Sequence, residues 1–233
     1  CRKWQLSPEH SKTNVLLWLR RVTEVLRELK KETEEVRRPR WPLTYPQVAR
    51  MLAKLRLESP KDVLLGAVVS VGFLGGPRPS EYLRQPLPVA LSDTKQVHPD
   101  VLWSAVTVVG HRPDRHMVIK VPGSKQGQRY EMRFREAQKG ICAIRWVVAL
   151  KEIRKLKNNF HPDLPVFTLQ TETITVEAAK DQIKKLAKAA GYSKDKYTLY
   201  SLRRGLATTL FLLGATADVI KAMGRWRSDA YKL

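Results

Sequence analysis

The sequence predicts a mainly α-helical fold with a small antiparallel β-sheet (α+β). Apolar residues recur at helical spacing on both sides of the centre of the chain, and short runs rich in β-branched and aromatic residues lie between Val101 and Phe134. The 233 residues, 43% of them apolar, suit one domain with a hydrophobic core, with or without an appendage. This composition excludes collagen, coiled coils and wholly disordered chains.

The first predicted element is an amphipathic helix over residues 15–29. Its apolar positions recur every three or four residues, and arginines and glutamates occupy the opposite face. Residues 1–38 contain no second helix of comparable length to cover this stripe, and residues 37–42 are rich in proline and arginine, which break a helix. We therefore expect residues 1–40 to be a helix and basic linker left from a larger helical domain, and residues 41–233 to form the main domain.

The main domain should begin with a helix capped by Thr44, followed by a buried helix at residues 61–74, which are apolar nearly all round. A turn at residues 123–128 should join the last two of four short strands, expected at residues 101–103, 106–109, 117–121 and 129–134. Gly224 should be the C-cap of the last of four further helices, expected at residues 141–156, 176–190, 202–213 and 217–223.

The charge balance bears on function. There are 43 Lys and Arg against 22 Asp and Glu, a formal net charge of +21, and the basic residues recur along the whole chain. This charge favours a nucleic acid as partner over a membrane or a merely soluble basic surface. The longest apolar run, residues 63–76, is shorter than the about 20 residues that span a bilayer.

The cysteines and histidines predict neither a disulfide framework nor a metal centre. Cys1 and Cys142 are the two cysteines, so we expect a reducing, intracellular compartment. The histidines have no cysteine or carboxylate at ligand spacing, so we expect no metal and no other cofactor.

Three segments contain residues that suit a phosphate ligand. Residues 75–81 follow the buried helix, and Arg78 precedes Pro79, which fits the first turn of a new helix. Residues 197–205 place Arg203 on a helical turn before an apolar run, where a buried arginine needs an anion. Residues 223–231 place Trp226 just past a helix end. The alternative for Arg78 is a helix-capping turn in which the arginine is simply solvated.

Together these segments resemble the catalytic half of the tyrosine recombinase/phage integrase family. The string Tyr-Ser-Leu-Arg-Arg-Gly, followed by an apolar helix, a glycine turn, a short helix and Gly-Arg-Trp, is similar to the end of that domain, and Arg-Pro-Ser-Glu resembles its first arginine box. The resemblance covers residues 41–233 and implies the same mainly α fold. Residues 1–40 would then be the remnant of an N-terminal core-binding domain.

The resemblance implies a role for each residue of the first boxes. Arg78 and Arg203 would clamp the non-bridging oxygens of the scissile phosphate and stabilise its transition state. Glu81 would hold the first box in shape. Lys125, in the predicted turn, would protonate the leaving 5′ oxygen.

The remaining matches are less regular. Tyr200 stands where the family usually has histidine, which weakens acid–base chemistry there or replaces it with a hydrogen bond to phosphate. Trp226 stands at a position that is histidine or tryptophan in the family, and it would donate its indole N–H to a phosphate oxygen. The neighbouring arginines would contact DNA: Arg204, Arg225 and Arg227.

Tyr231 is one candidate for the nucleophile. It lies five residues after Trp226, whereas the family's tyrosine falls about nine residues on, or two and a half helical turns. A tyrosine beyond Leu233 is the second candidate. Tyr231 would then be an aromatic residue that packs the last helix against the core.

The resemblance implies a site-specific recombinase or integrase that forms a 3′-phosphotyrosyl link without metal or ATP. Such enzymes act on double-stranded DNA as dimers and tetramers. The boxes are similar to those of DIRS-like and Crypton-like mobile elements, which implies transposition and, in a eukaryote, the nucleus.

Two alternatives remain open. One is a recombinase-fold DNA-binding protein that has lost strand transfer. The other is a basic RNA-binding or chromatin protein whose boxes match by accident. Both recombinase-fold interpretations predict that Arg78, Lys125 and Arg203 converge on one site, whereas an accidental match predicts that they lie far apart.

Overall fold

The computed structural model describes residues 21–25, 41–84, 100–123, 129–169, 172–226, 228–229 and 231. The chain divides into two units, Cys1–Pro39 and Arg40–Leu233. In the first unit, residues 21–25 are helical, within the helix predicted over residues 15–29. The rest of that predicted helix and the basic linker at residues 37–40 lie outside the described residues. A core-binding origin for the first unit stays a prediction.

The second unit is mainly helical with one small antiparallel sheet, which confirms the predicted fold class. Its helices are α1 (Tyr45–Leu52), α2 (Pro60–Leu74), α3 (Pro79–Tyr82), α4 (Ala143–Leu156), α5 (Val176–Ala189), α6 (Leu199–Leu212) and α7 (Ala217–Gly224). Its strands are β1 (Val106–Val109), β2 (His116–Val121), β3 (Tyr130–Arg135), β4 (Thr168–Leu169) and β5 (Glu172–Thr173). The sheet has the order β1-β2-β3, and β4 pairs with β5 separately.

Helix α2 is the central element of the core, as its apolar composition predicts. Ser59 caps it, because its hydroxyl accepts a hydrogen bond from the Asp62 N–H at 3.3 Å, and Pro60 occupies the first turn. The helix packs against α1, α4, α5 and α6. A Cβ at Gly66 would lie 2.4 Å from the Trp146 ring, so glycine is needed for α4 to come this close. Packing on several sides holds the end of α2 in place.

Helix α6 begins three residues earlier than predicted. The apolar run of the sequence starts at Leu202, but the Thr198 N–H donates to the Ser201 hydroxyl at 3.0 Å and caps a helix that starts at Leu199. The extended chain before α1 crosses this helix closely, because a Cβ at Gly205 would lie 1.7 Å from the Leu43 carbonyl oxygen. This crossing explains the glycine after the two arginines.

Two local predictions are wrong. Residues 101–103 do not form a strand of the sheet: Leu102 makes one isolated bridge to Pro165, and Trp103–Ala105 is a turn of 3₁₀-helix. Gly224 is the last residue of α7, and its C-cap is Arg225 in the left-handed conformation, at φ 55°. Glycine is needed at 224 for a different reason, because a Cβ there would lie 1.5 Å from the Trp226 ring.

Candidate phosphate-binding site

The turn between α2 and α3 is the base of the site. Gly75 caps α2, Gly76 has a positive φ of 56°, and Arg78 caps α3. The carbonyl of Gly75 accepts a hydrogen bond from Nη2 of Arg225 at 3.0 Å, and the carbonyl of Gly76 accepts one from Nη1 of Arg203. Two successive carbonyls of one turn therefore hold two arginines that come from distant helices.

Arg203 is the most deeply placed cation of the site, with 5% of its surface exposed. Its Nη1 is paired with Gly76, but its Nη2 is buried and has no hydrogen-bond partner. The guanidinium lies over the ring of Trp226, with Cζ 4.5 Å from the ring centroid. A buried guanidinium with an open N–H group is costly unless a ligand accepts that hydrogen bond.

The charge of Arg203 persists at neutral pH. Burial, followed by the positive charges of Arg78 and Arg225, lowers the pKa of Arg203 to about 10, and the charge of Glu81 opposes this shift. A cation whose neighbours are mainly cations favours an anion beside it. The cationic surroundings of Arg203 therefore favour a negatively charged ligand.

Arg78 and Glu81 form a compact pair at the start of α3. The Arg78 N–H donates to Oε2 of Glu81, and Nη1 of Arg78 donates to Oε1, both at 2.8 Å. The Glu81 side chain is only 1% exposed, and the Tyr130 hydroxyl also donates to Oε2, at 2.9 Å. Burial raises the pKa of Glu81, but the hydrogen bonds from Arg78 and Tyr130 lower it more, so the net pKa lies below the ordinary value. Glu81 is therefore a charged anchor for Arg78.

The end of α7 completes the site. Arg225 in its left-handed conformation ends the helix, and its guanidinium lies over the Tyr130 ring with Cζ 4.1 Å from the centroid. Trp226 follows and packs against both Gly224 and Arg203. The end of the short helix α7 thus places one cation, Arg225, and one aromatic ring, Trp226, in the site.

Among these side chains, the guanidinium groups of Arg78 and Arg225 both act through their charges on Arg203, and Arg78 is also paired with the buried carboxylate of Glu81. Planar guanidinium groups bind phosphate through paired N–H groups, and their charge opposes the charge that develops on a phosphate in a transition state. The arrangement suits a tetrahedral oxyanion such as phosphate.

Other residues that the sequence singled out lie in less buried positions. Tyr200 is 43% exposed although it lies on the same helix as Arg203. Arg204 is half-buried beside the buried Arg203. Tyr231 packs its ring against Trp226, with centroids 6.1 Å apart. Two predicted site residues lie outside the described residues: Lys125 and Arg227.

Sequence reasoning missed Tyr130. Its neighbours on alternate positions of β3, Met132 and Phe134, are buried, so the alternation of the strand could have placed Tyr130 toward the interior. A tyrosine that is largely buried usually finds a hydrogen-bond partner for its hydroxyl. Here that partner is Glu81.

Within the described ranges, no three His, Cys, Asp or Glu side chains lie close enough together to hold a metal ion. No helix in the described part of the chain has the length and apolarity needed to cross a membrane.

Comparison with known proteins gives the fold a name. The sequence matches no family model and no curated protein. The structure is similar to that of the XerH site-specific recombinase in its pre-cleavage complex with difH, with a TM-score of 0.57, 14% identity and coverage of 82% of this chain and 48% of that one.

Two Holliday-junction complexes are also similar. The structure of FLP recombinase matches with a TM-score of 0.52 and 12% identity, over 96% of this chain and 54% of that one. Flpe matches with a TM-score of 0.53 and 13% identity, over 93% and 52%. This chain therefore spans about half the length of the recombinases that it resembles. These similarities show that the chain has the fold of a tyrosine recombinase catalytic domain.

Proposed function

We propose that this protein is a site-specific DNA recombinase or integrase that cleaves and rejoins DNA through a 3′-phosphotyrosyl intermediate, without metal or ATP. The observation that carries the proposal is the buried Arg203, whose Nη2 has no hydrogen-bond partner. Arg78 and Arg225 act on the same guanidinium through their charges. A DNA phosphate provides oxygens for these donors and negative charge for these cations.

In the proposed reaction, a tyrosine hydroxyl attacks the scissile phosphorus while Arg78 and Arg203 hold the non-bridging oxygens. A P–O bond to the tyrosine forms as its hydroxyl proton passes to water, the P–O bond to the 5′ oxygen breaks, and Lys125 gives that oxygen its proton. The two arginines stabilise the pentacoordinate transition state by charge and hydrogen bonding. Attack of a 5′ hydroxyl from another strand reverses the step, so the energy of the phosphodiester is kept in the protein link.

Two further side chains have parts in this proposal. Trp226 packs against Arg203 and would donate its indole N–H to a phosphate oxygen, as the matching residue of the family does. Tyr200, at the family's usual histidine position, is 43% exposed and would make a hydrogen bond to phosphate rather than transfer a proton. Glu81 would anchor Arg78 through the two hydrogen bonds described above.

The nucleophile has two candidates. Tyr231 packs against Trp226, which itself lies against Arg203, so its ring is close to the proposed phosphate site. The same contact also suits an aromatic residue that only fixes the end of α7. A tyrosine that follows Leu233 in the natural protein is the second candidate.

A nicked suicide DNA substrate tests the reaction, because release of the nicked fragment traps the covalent intermediate. The chain is compared with a version extended by its natural downstream residues, on cognate DNA, and a denaturing gel reports the adduct. An adduct with the chain itself that is lost in Tyr231→Phe assigns the nucleophile to Tyr231. An adduct that needs the extension assigns it to the downstream segment. Absence of any adduct, with DNA binding intact, overturns the proposed strand transfer.

The second candidate function is a DNA-binding protein with this fold that does not transfer strands. Tyr200 favours it, because an exposed phenol replaces the family's usual acid–base histidine. This alternative predicts DNA binding that depends on Arg78 and Arg203 but no covalent adduct with either version of the chain. The accidental-match alternative, a basic RNA-binding or chromatin protein, is disfavoured because Arg78 and Arg203 lie around one turn.

The proposed partners are double-stranded DNA and further copies of the chain, as dimers and tetramers on DNA. A groove of about 570 Å³ lies between α6 and α7 and is lined by residues that include Phe211, Ile220 and Tyr231. Phe211 and Leu213 are 70% and 77% exposed. A second copy would cover this apolar surface, since contiguous exposed apolar residues favour association.

Analytical ultracentrifugation of the protein with DNA tests this assembly. We expect Phe211→Ser with Leu213→Ser to lower the number of copies per DNA. Leu156→Ser, at the exposed end of α4 where Leu156 is 84% exposed, is the matched control and should leave it unchanged. Equal assembly in both variants would contradict the assignment of the groove.

As an enzyme of DIRS-like or Crypton-like mobile elements, the protein would act in DNA integration and transposition. It would then work inside the cell, and in the nucleus if the host is a eukaryote. Recombination between marked copies of the element's termini in cells, with Arg203→Ala as the inactive control, tests this assignment.

A further inference from the structure

We propose that Tyr130 is a positioning residue of the phosphate site, which holds Arg78 through Glu81 with its hydroxyl and Arg225 with its ring. The inference rests on the proposed function for the identity of the ligand, a DNA phosphate. Its basis in the structure is that one side chain contacts both the buried carboxylate and an arginine of the site.

The hydroxyl of Tyr130 acts on Arg78 through Glu81. It donates to Oε2 of Glu81 at 2.9 Å, and the same oxygen accepts the Arg78 N–H at 2.8 Å, while Oε1 accepts Nη1 of Arg78. With three hydrogen bonds, the carboxylate has one orientation that satisfies all its donors. The guanidinium of Arg78 is thereby held in one direction.

The ring of Tyr130 acts on Arg225. The guanidinium lies over the ring at 4.1 Å, and Nη2 of Arg225 donates to the Gly75 carbonyl at 3.0 Å. A flat ring on one side and a carbonyl at one edge fix the plane of the guanidinium. Because Arg225 ends α7 in a left-handed conformation, its backbone is also fixed.

The hydroxyl remains a donor over the working range of pH. Burial, with the nearby charge and hydrogen bond of Glu81, raises the pKa of Tyr130 above its ordinary value, although Arg225 and Arg203 oppose this shift. Tyr130 therefore stays neutral and does not add negative charge to a site that has to accept an anion.

The salt dependence of DNA binding separates positioning from a merely structural role. Each phosphate contact that is lost changes the slope of log K against log salt by about 0.9. Tyr130 carries no charge, so its replacement can change that slope only by displacing an arginine. Binding is measured by fluorescence anisotropy with a short labelled DNA duplex over a range of salt concentrations.

We expect Tyr130→Leu, which removes both the hydroxyl and the ring, to weaken binding about tenfold and to lower the slope by about 0.9 to 1.8. Tyr130→Phe keeps the ring for Arg225 but loses the hydrogen bond to Glu81, so we expect it to lower the slope by about 0.9. The added effect of Leu over Phe should disappear in an Arg225→Ala background, because the ring then has no arginine to hold. Tyr192→Phe, which removes a hydroxyl from a tyrosine packed against Tyr197, is the matched control and should bind like the wild type.

The outcomes distinguish this inference from the proposed function. Wild-type slopes in both Tyr130 variants, while Arg203→Ala weakens binding, would overturn the positioning role and leave the phosphate site standing. Weaker binding of the Tyr130 variants at an unchanged slope would also overturn it, since a loss of packing alone explains that result. Unchanged binding of Arg203→Ala would overturn the phosphate site itself. Far-UV circular dichroism verifies the fold, and the near-isosteric Tyr130→Phe keeps the test valid if Tyr130→Leu unfolds.

Discussion

Arg203 donates a hydrogen bond from Nη1 to the carbonyl of Gly76, a residue 127 positions earlier in the chain. This bond joins α6 to the turn after α2 and fixes the guanidinium at the base of the site. It leaves Nη2 buried without a partner, so one half of the same side chain serves the fold and the other half is available to a ligand.

Replacement of Arg203 should weaken DNA binding strongly. Arg203→Ala removes a charge-assisted hydrogen bond to phosphate, so we expect affinity to fall about tenfold to a hundredfold. Arg203→Lys should also be impaired, because a single ammonium group does not reproduce a guanidinium that pairs with Gly76 and stacks on Trp226. Fluorescence anisotropy at one fixed salt concentration measures the loss, and full affinity in Arg203→Lys would show that a point charge is sufficient.

Arg154 offers the opposite case of a buried arginine. It is 1% exposed, and its guanidinium donates to the carbonyls of Asn159 and Pro165 at 2.8 to 3.3 Å. Arg154→Met should lower the free energy of unfolding by about 1–3 kcal/mol, because these partly buried carbonyls lose their donors. DNA affinity of the folded fraction should not change. Urea unfolding measures the free energy of unfolding, and fluorescence anisotropy measures the DNA affinity. A loss of affinity without a loss of stability would assign Arg154 a part in binding.

The stability of the protein should depend on Glu81 in acid. The folded-state pKa of Glu81 lies below its ordinary value of 4.5, so the charged carboxylate stabilises the fold above that pH. This contribution is lost as the pH falls through the lower, folded-state pKa. We expect Glu81→Gln to be about 1–2 kcal/mol less stable than the wild type at neutral pH.

Below pH 4.5 the stabilities of the wild type and Glu81→Gln should converge, because protonation removes the same charge. Thermal unfolding followed by circular dichroism across this range measures both curves. Glu152→Gln, at a carboxylate that is 55% exposed, is the control, and its stability should depend on pH in the same way as that of the wild type. A constant gap between wild type and Glu81→Gln at all pH values would contradict the linkage.

Gly224 should be required for the position of Trp226. A Cβ at residue 224 would lie 1.5 Å from the Trp226 ring, so Gly224→Ala has to move the ring away from Arg203. We expect DNA affinity and adduct formation to fall about tenfold, of the order of one lost contact to a charged group.

Gly214→Ala is the control for Gly224→Ala. Gly214 lies in the turn before α7 with φ at 77° and has nothing within 4 Å of an added Cβ, so its replacement should cost only about 1 kcal/mol of backbone strain. Equal DNA affinity in Gly214→Ala and Gly224→Ala would show that the tryptophan does not depend on this glycine.

Most helices and strands of the second unit are predictable from local sequence. Helix α2 is predicted to within one residue at its start, because its residues are apolar nearly all round. The structure adds its cap at Ser59 and its first residue, Pro60. The strand predicted at residues 101–103 is wrong because Trp103 and Ser104 donate to the carbonyls of Leu164 and Pro162 instead of a neighbouring strand. These hydrogen bonds depend on a loop about 60 residues later in the chain, which the local sequence pattern does not reveal.

The site was predictable only in part. Arg78, Arg203 and Trp226 were singled out from the motifs, but Tyr130 was not. The alternation of β3 could have placed its side chain toward the interior, but no local pattern shows that it meets Glu81 and Arg225 there. Arg225 was expected to contact DNA, and the structure adds its contacts with Gly75 and Tyr130. These contacts join α7, the α2–α3 turn and β3, which are far apart in sequence.

By itself, the sequence determined the mainly helical fold class and a preference for a polyanionic partner, because helical periodicity is local and net charge does not depend on folding. Only the tertiary structure decided which arginine has an open donor. Arg203 and Arg204 are neighbours in the chain, yet Arg203 is buried and Arg204 is half-buried. Arg154 is as deeply buried as Arg203, yet its guanidinium nitrogens donate to carbonyls, whereas Nη2 of Arg203 has no partner. The physical reason is that burial and hydrogen-bond partners come from elements packed together across the fold.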